Sequence, residues 1–285
     1  MFGILTVAAT PIGNAHDASD RLRAILARAQ WIAAEDTRRV RRLADALEIP
    51  LHARIVSLFD GNEARRTDEL VDRLISGHDV LLVSDAGMPT ISDPGARLVR
   101  RCAERGIRVT AVPGPSAVET AMAVSGLGSG PFCFEGFLPR KAGERNRRLA
   151  ELAPDRRPTV FFESPRRLAA TLADLLAVWG DREAVVCREL TKIHEEVRRG
   201  TVAELLEWAQ SDVLGEVTMV VAGAEVAPDA DPEQLAEAVA ALIAEGISRK
   251  DAVQRVAAET GAGRRAVYQA SLTAPTPARP PTDLR

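Results

Sequence analysis

Three Gly- and Pro-rich segments constrain the fold of this chain more than any other feature: ATPIGN (Ala9–Asn14), VSDAGMPTISDPG (Val83–Gly95) and VPGPSA (Val112–Ala117). Each lies between an apolar, strand-like run and a helical pattern. A strand that passes through a loop into a helix, repeated along the chain, builds a parallel sheet, because parallel strands need helical crossovers. The three loops then share the carboxyl edge of one sheet, where open α/β sheets hold their ligands. Gly87, Pro89, Pro94 and Gly95 break any regular structure in the longest loop.

The alternation predicts strands at Ile4–Ala9, Trp31–Ala34, Ile55–Leu58, Asp79–Val83 and Arg108–Val112. Helices are expected between them at Ser19–Gln30, Thr37–Leu47, Glu63–Ile75 and Gly95–Glu104, with Ser116–Val124 following the last strand. This is the pattern of a mostly parallel, doubly wound sheet. The run GLGSGP at Gly126–Pro131 marks a boundary, so residues 1–125 are expected to form one α/β domain. A second alternation predicts strands at Phe132–Phe137, Thr159–Phe162, Ala184–Arg188 and Glu216–Ala222, with helices at Glu144–Leu152, Pro165–Val178 and Val202–Trp208, giving a second α/β domain over 126–226. From Glu225 to Glu245 every charge is acidic, after which the chain turns net basic. Helical periodicity over Arg249–Glu259 and Arg264–Leu272, separated by a Thr-Gly-Ala-Gly turn, suits a helix-turn-helix-like appendage over 227–272 or a plain helical hairpin. The Pro-rich residues 273–285 are expected to be disordered.

Several function classes are excluded. With 285 residues, 46% hydrophobic and 27% charged, the chain has a globular composition, and no apolar run approaches the roughly 20 residues needed to span a bilayer. The N-terminus shows no secretory signal pattern, so a cytoplasmic location is expected. Cys102, Cys133 and Cys187 are odd in number and widely spaced, and His16, His52, His78 and His194 form no H-x-x-x-H pattern, so no metal is expected. Gly126, Gly128 and Gly130 imitate a dinucleotide fingerprint, but they follow a helix and precede a strand, the wrong order for phosphate binding at a helix N-terminus. There is neither a P-loop nor a G-x-S-x-G elbow. What remains is a site built from backbone, where Gly and Pro loops let main-chain N–H and C=O groups approach a compact ligand such as S-adenosylmethionine.

The three loops, together with AAEDTRRVRRL at Ala33, FEGFLPRK at Phe134 and FFESPRRL at Phe161, resemble the ribosomal-RNA-methylating branch of the tetrapyrrole methylase fold family, from about Ile4 to Leu272. The resemblance implies an S-adenosylmethionine-dependent methyltransferase with its donor in a cleft between two α/β units. It also implies a substrate, the 2′-hydroxyl of a cytidine in the decoding region of small-subunit (16S) ribosomal RNA, and a homodimer. By matching blocks it assigns donor contacts to Pro11 and Gly13, to Asp85, Ala86, Gly87 and Pro89, to Pro115, Ser116 and Ala117, and to Phe162 and the Gly215–Val217 stretch around Glu216.

Methyl transfer from a sulfonium is an in-line displacement, in which positioning contributes on the order of 7 to 11 kcal/mol and a general base about 10²- to 10⁴-fold. Candidate bases are Glu163 and Asp85, placed first, then Glu35, Asp36, Asp93, Glu189 and Lys192. Each has a plainer reading: Asp36 as a helix cap, Asp93 before Pro94 as a loop brace, and the charges around Glu189 as a solvated ion-pair face. The net charge of −3 argues against a protein that coats RNA generally. Local clusters argue for focused phosphate contacts by Arg38, Arg39, Arg41 and Arg42, by Arg140 and Lys141 within the basic stretch Arg140–Arg148, and by Arg166 beside Arg167. Two rivals fit the same fold. One is a small-molecule methylase acting on a tetrapyrrole or on a diphthamide precursor, and the other is a nonenzymatic nucleic-acid-binding regulator that uses the terminal helices.

Overall fold

The computed structural model describes residues 1–128, 130–225 and 231–273, and the expected disordered tail lies outside the described residues apart from Thr273. The chain forms two compact units, Met1–Ala224 and Glu225–Arg285. The first unit holds two five-stranded sheets.

The first sheet contains β1 (Leu5–Ala8), β2 (Trp31–Ala34), β3 (Arg54–Ser57), β4 (Val80–Val83) and β5 (Val109–Val112) in the order β3-β2-β4-β1-β5. All its pairings are parallel, as the alternation requires. Its central strands are buried on both faces, so β4 reads as an unbroken apolar run and β1 as one interrupted only by Thr6. Side chains alternate by face: Val80 and Leu82 pack with Leu70, Leu74 and Leu98 of α3 (Glu63–Ile75) and α4 (Ala96–Glu104). Leu81 and Val83 pack with Leu22, Leu26 and Val40 of α1 (Asp20–Arg28) and α2 (Thr37–Ala46). Ser19 caps α1 by accepting from the Leu22 N–H at 3.1 Å, and Asp36 caps α2 by accepting from the Arg38 N–H at 2.8 Å.

The helix α5 (Ala117–Ser125) follows β5, yet its Val118 and Ala121 pack with Val160, Val185 and Val220 of the second sheet. The chain therefore leaves the first sheet at the VPGPSA loop, one helix earlier than the glycine cluster at Gly126 suggests. The second sheet comprises β6 (Cys133–Phe137), β7 (Thr159–Glu163), β8 (Glu183–Arg188), β9 (Glu196–Thr201) and β10 (Val217–Val221), ordered β6-β7-β10-β8-β9. Only β6 and β7 pair in parallel; the remaining pairs are antiparallel. The helices α6 (Ala142–Leu152), α7 (Pro165–Trp179) and α8 (Val202–Trp208) cover the face bearing Phe161, Val186 and Met219. Strand β9 is absent from the pattern of the sequence because its residues, EVRRGT, are polar and lie at a sheet edge. A capping box between Thr201 and Glu204 turns it directly into α8.

The second unit is three helices, α9 (Pro232–Ala244), α10 (Arg249–Thr260) and α11 (Arg264–Thr273). Leu235 and Val239 of α9, Val253 and Val256 of α10, and Val267 of α11 share one core. The expected pair α10 and α11 is thus completed by the acidic segment, whose Asp231 caps α9 and whose Pro232 occupies its first turn.

Candidate active site

The carboxyl edge of the first sheet and the ends of β7 and β10 enclose a cavity of about 440 Å³, within the range of small-molecule sites. A second hollow of about 330 Å³ adjoins it, the two sharing Ile12, Arg39, Asp85, Ala86 and Glu216.

The loops are tied to one another through main chain. Thr10 and Gly87 exchange N–H···O bonds of 2.9 and 3.0 Å, and the Ser84 hydroxyl donates to the Gly87 carbonyl at 3.0 Å. Gly87 has φ +76°, and a Cβ there would sit 3.7 Å from Ile12 and from the Pro115 carbonyl oxygen, so the third loop closes over it. Gly13 answers a different need. A Cβ at that position would meet Lys192 Cγ at 2.5 Å and the Leu190 carbonyl at 2.8 Å, so this glycine admits the loop after β8. There Asn14 N–H donates to Thr191 Oγ1 at 3.0 Å. Among the described residues with positive φ other than glycine, Thr90, Ser92, Glu189 and Thr191 all lie in the two loops facing each other here, where backbone strain marks a functional constraint.

Of the expected donor contacts, Asp85, Ala86, Gly87, Ser116, Ala117, Phe162 and Glu216 line the main cavity, and Pro11 and Gly13 line the adjoining hollow. Pro89 is buried behind its loop, and neither it nor Pro115 lines either space. Sequence reasoning missed Ile12 of the first loop, and Phe137, Cys187 and Thr218, which reach the cavity only because the second sheet folds over the first. Burial pushes the Cys187 thiol up to about 11, which makes it a wall group and not a nucleophile.

The carboxylates separate by environment. Glu163, expected first as the base, is a structural anchor: its side chain has no exposed surface. Its oxygens accept from Ser164 N–H at 2.8 Å and Thr171 Oγ1 at 2.7 Å and pair with Arg167 at 3.1 Å. Asp85 accepts the Asp36 N–H at 2.9 Å and pairs with Arg39 at 3.4 Å, which ties the second loop to α2. Arg38 holds Asp36 down to about 2 through hydrogen bonds. Glu189 and Glu216 share Lys192 Nζ at 2.7 and 2.8 Å, and although burial opposes its charge, the two carboxylates raise its pKa on balance.

Glu35 and Asp93 are different. Both line the cavity, as Asp85, Glu163 and Glu216 also do. Burial first, and then the negative charges of Asp85, Asp93 and Asp60, push Glu35 up to about 7 against the pull of a main-chain bond at Asp85. Burial likewise lifts Asp93 to about 6, opposed by a Ser84 hydroxyl bond and aided by Asp85 and Asp60. Among the described residues no cluster of His, Cys, Asp and Glu is placed to hold a metal ion, and no helix is long and apolar enough to cross a membrane.

The basic residues lie in three places. On α2, Arg39 lines both spaces and Arg42 lines the hollow, while Arg38 pairs with Asp36 and Arg41 bonds Thr37. Around α6, Arg140 and Lys141 are exposed, with Lys141 3.2 Å from Glu144. Arg145 of that stretch is buried against Asp174 at 2.5 Å and carries no surface charge. Arg166 is exposed on the first turn of α7, beside the cavity-lining Ser164 and Pro165.

Two α/β layers thus meet over a loop-lined cavity. Residues 5–206 match the tetrapyrrole (corrin/porphyrin) methylases. The fold is similar to the crystal structure of the methyltransferase CobJ, with a TM-score of 0.61, 20% identity, and coverage of 78% of this chain and 95% of that one. It is also similar to uroporphyrin-III C-methyltransferase from Thermus thermophilus complexed with S-adenyl homocysteine, with a TM-score of 0.55, 16% identity, and coverage of 76% and 96%. In sequence, the chain is 55% identical over 272 residues, 95% of each chain, to the protein of Mycobacterium tuberculosis (strain CDC 1551 / Oshkosh) named Ribosomal RNA small subunit methyltransferase I. The chain therefore belongs to the tetrapyrrole methylases and, among them, to the family of ribosomal RNA small subunit methyltransferase I.

Proposed function

We propose that this chain transfers a methyl group from S-adenosylmethionine to small-subunit ribosomal RNA, and that the acceptor is the 2′-hydroxyl of a decoding-region cytidine. The observation that carries the reading is a cavity walled both by loops of the first sheet and by strand ends of the second. The choice of ribosomal RNA over other acceptors rests on the likeness to the named relative across 95% of the chain. The residues present suit the donor. Small side chains at Ala86, Gly87 and Ala117 let a ligand approach the wall closely, and a cavity of about 440 Å³ accommodates a ligand of nucleoside size. When bound, S-adenosylmethionine supplies an electrophilic methyl group on a sulfonium.

The chain's own tasks are positioning and proton removal. Asp85, held by Asp36 and Arg39, presents a fixed carboxylate at the wall. Glu35 takes the hydroxyl proton, since its carboxyl lines the cavity and its pKa of about 7 matches the pH at which a base works best. The methyl group would pass to the ribose oxygen, and the electron pair of the sulfur–carbon bond would remain on sulfur. Arg39 and Arg42, with Arg38 and Arg41 beside them and Arg140, Lys141 and Arg166 on the second half, contact RNA phosphates. The protein is proposed to act in the cytoplasm as a homodimer.

The test is transfer of labelled methyl from S-adenosylmethionine to unmodified small ribosomal subunits, followed by mapping of ribose methylation. Label on a decoding-region cytidine ribose is expected. Label elsewhere on the RNA removes the nucleotide assignment, and no label on RNA despite tight donor binding removes the substrate.

A further inference from the structure

The block FEGFLPRK contains a β-bulge beside the cavity that the donor contacts assigned above do not include. Strand β6 pairs with β7 in register at Phe134↔Val160, then shifts, so that Gly136 faces Phe161 and Phe137 faces Phe162. Glu135 is the extra residue of a β-bulge. In an unbroken strand, residues three apart point to opposite faces; the bulge reverses that parity and turns Phe134 and Phe137 to the same side as Val160 and Phe162, where the cavity lies. Bulges beside active sites re-aim side chains in this way.

The bulge is held in place by the chain around it. Gly136 takes φ +65°, and a Cβ there would lie 2.9 Å from Ser92 Oγ of the second donor loop, so a residue without a side chain is needed. Arg148 bonds the Glu135 carboxylate at 2.7 and 3.0 Å. Arg167 donates to the Leu138 carbonyl at 2.8 Å, pinning the strand's exit to α7.

The result is an aromatic ring in an unusual position. The chain has seven Phe, and three of them form one edge-on cluster: Phe134 and Phe137 flank Phe162 at centroid distances of 4.9 and 5.6 Å, with interplanar angles of 67° and 58°. Phe137 ends this cluster at the cavity wall and remains 57% exposed. Ile91, 44% exposed, adds apolar surface to the same wall. Exposed Arg140 and Lys141 follow Phe137 within four residues, and Arg166 begins the neighbouring helix. An open aromatic face next to cations is how unpaired nucleotides are held, the base stacked on the ring and the phosphates on the cations.

We infer that Phe137 is the platform on which the target nucleobase stacks, so that the bulge at Glu135 positions the substrate's ribose in the cavity. The inference rests on the RNA methyltransferase reading above and names the residue that positions its acceptor. Phe137 acts on substrate placement and takes no part in proton transfer.

The test compares wild type with Phe137→Ala, Phe137→Leu and Phe137→Trp in steady-state methylation of unmodified small ribosomal subunits, alongside calorimetric S-adenosylmethionine affinity and sedimentation. Loss of one base–aromatic stack should raise KM for the subunit about 5- to 150-fold in Phe137→Ala and Phe137→Leu, with donor affinity and sedimentation unchanged, and Phe137→Trp should restore KM. If wild type methylates the subunit and Phe137→Ala or Phe137→Leu matches its KM, the platform is wrong while the RNA reading stands. An altered sedimentation coefficient in Phe137→Ala assigns the ring to contact between copies and also overturns the inference. Failure of wild type itself on RNA overturns both.

Discussion

At the residue scale, carboxylates that look alike in sequence differ in what surrounds them. Glu163 and Glu35 each stand at the carboxyl end of a strand, yet the first is spent on Ser164, Thr171 and Arg167 and the second is half-buried among other acids. Glu163→Ala leaves the buried Thr171 hydroxyl without its acceptor and removes the ion partner of Arg167, which keeps the Leu138 and Pro139 carbonyls, and a loss of about 1 to 3 kcal/mol is expected in urea unfolding. Glu163→Gln, by contrast, should keep kcat within tenfold of wild type, and a larger drop would return Glu163 to the chemistry. Glu35→Gln should lower kcat by about 10²- to 10⁴-fold without changing donor affinity. In wild type, the rate should rise with pH through about 7, as the Glu35 carboxyl ionises; a rate independent of pH from 6 to 8 in single-turnover assays would count against it.

At the element scale, the loops matter more than the strands they follow. The strand β4 could tolerate exchange of one aliphatic residue for another, because both its faces meet only packed side chains. Gly87 cannot be exchanged, because its φ of +76° disfavours any L side chain and its position lies on the cavity wall. Gly87→Arg should abolish S-adenosylmethionine binding in calorimetry while circular dichroism stays that of wild type; retained affinity would move the donor out of this cavity. Elements that the pattern of residues missed are those whose pairing is set from elsewhere. Strand β9 is polar because it lies at an edge, and α9 carries its apolar residues at spacings that gain meaning only when α10 and α11 cover them.

At the scale of the whole molecule, the cavity couples stability to pH. Glu35 and Asp93 have pKa values raised in the folded state, so folding retains protons that the unfolded chain loses. Their contribution is therefore favourable below about pH 4 and is lost as pH rises through about 6 to 7. The double variant Glu35→Gln, Asp93→Asn should narrow the difference in urea midpoint between pH 5 and pH 8; an unchanged difference would show that these groups ionise normally. The charge map has a counterpart in binding. Arg38→Glu with Arg41→Glu reverses charge on α2 without touching the groups that wall the main cavity. It should weaken subunit binding and make it less sensitive to salt, while donor affinity holds. A selective loss of donor affinity would reverse that division of the surface.

The sequence by itself determined the parallel first sheet and its three long loops, because strand–loop–helix alternation and glycine-bearing turns are local properties read over a few residues, and its motif blocks carried the family resemblance. Of the residues assigned by resemblance, Ala86, Gly87, Ser116 and Ala117 lie on the cavity wall. Only the tertiary structure decided that α5 belongs with the second sheet, that Glu163 is an anchor, that Glu35 and Asp93 share a field of negative charge, and that a bulge turns Phe137 toward the cavity. Burial, hydrogen-bond partners and strand register all depend on residues distant in the chain. A carboxylate's pKa and a ring's exposure therefore exist only once those residues have met.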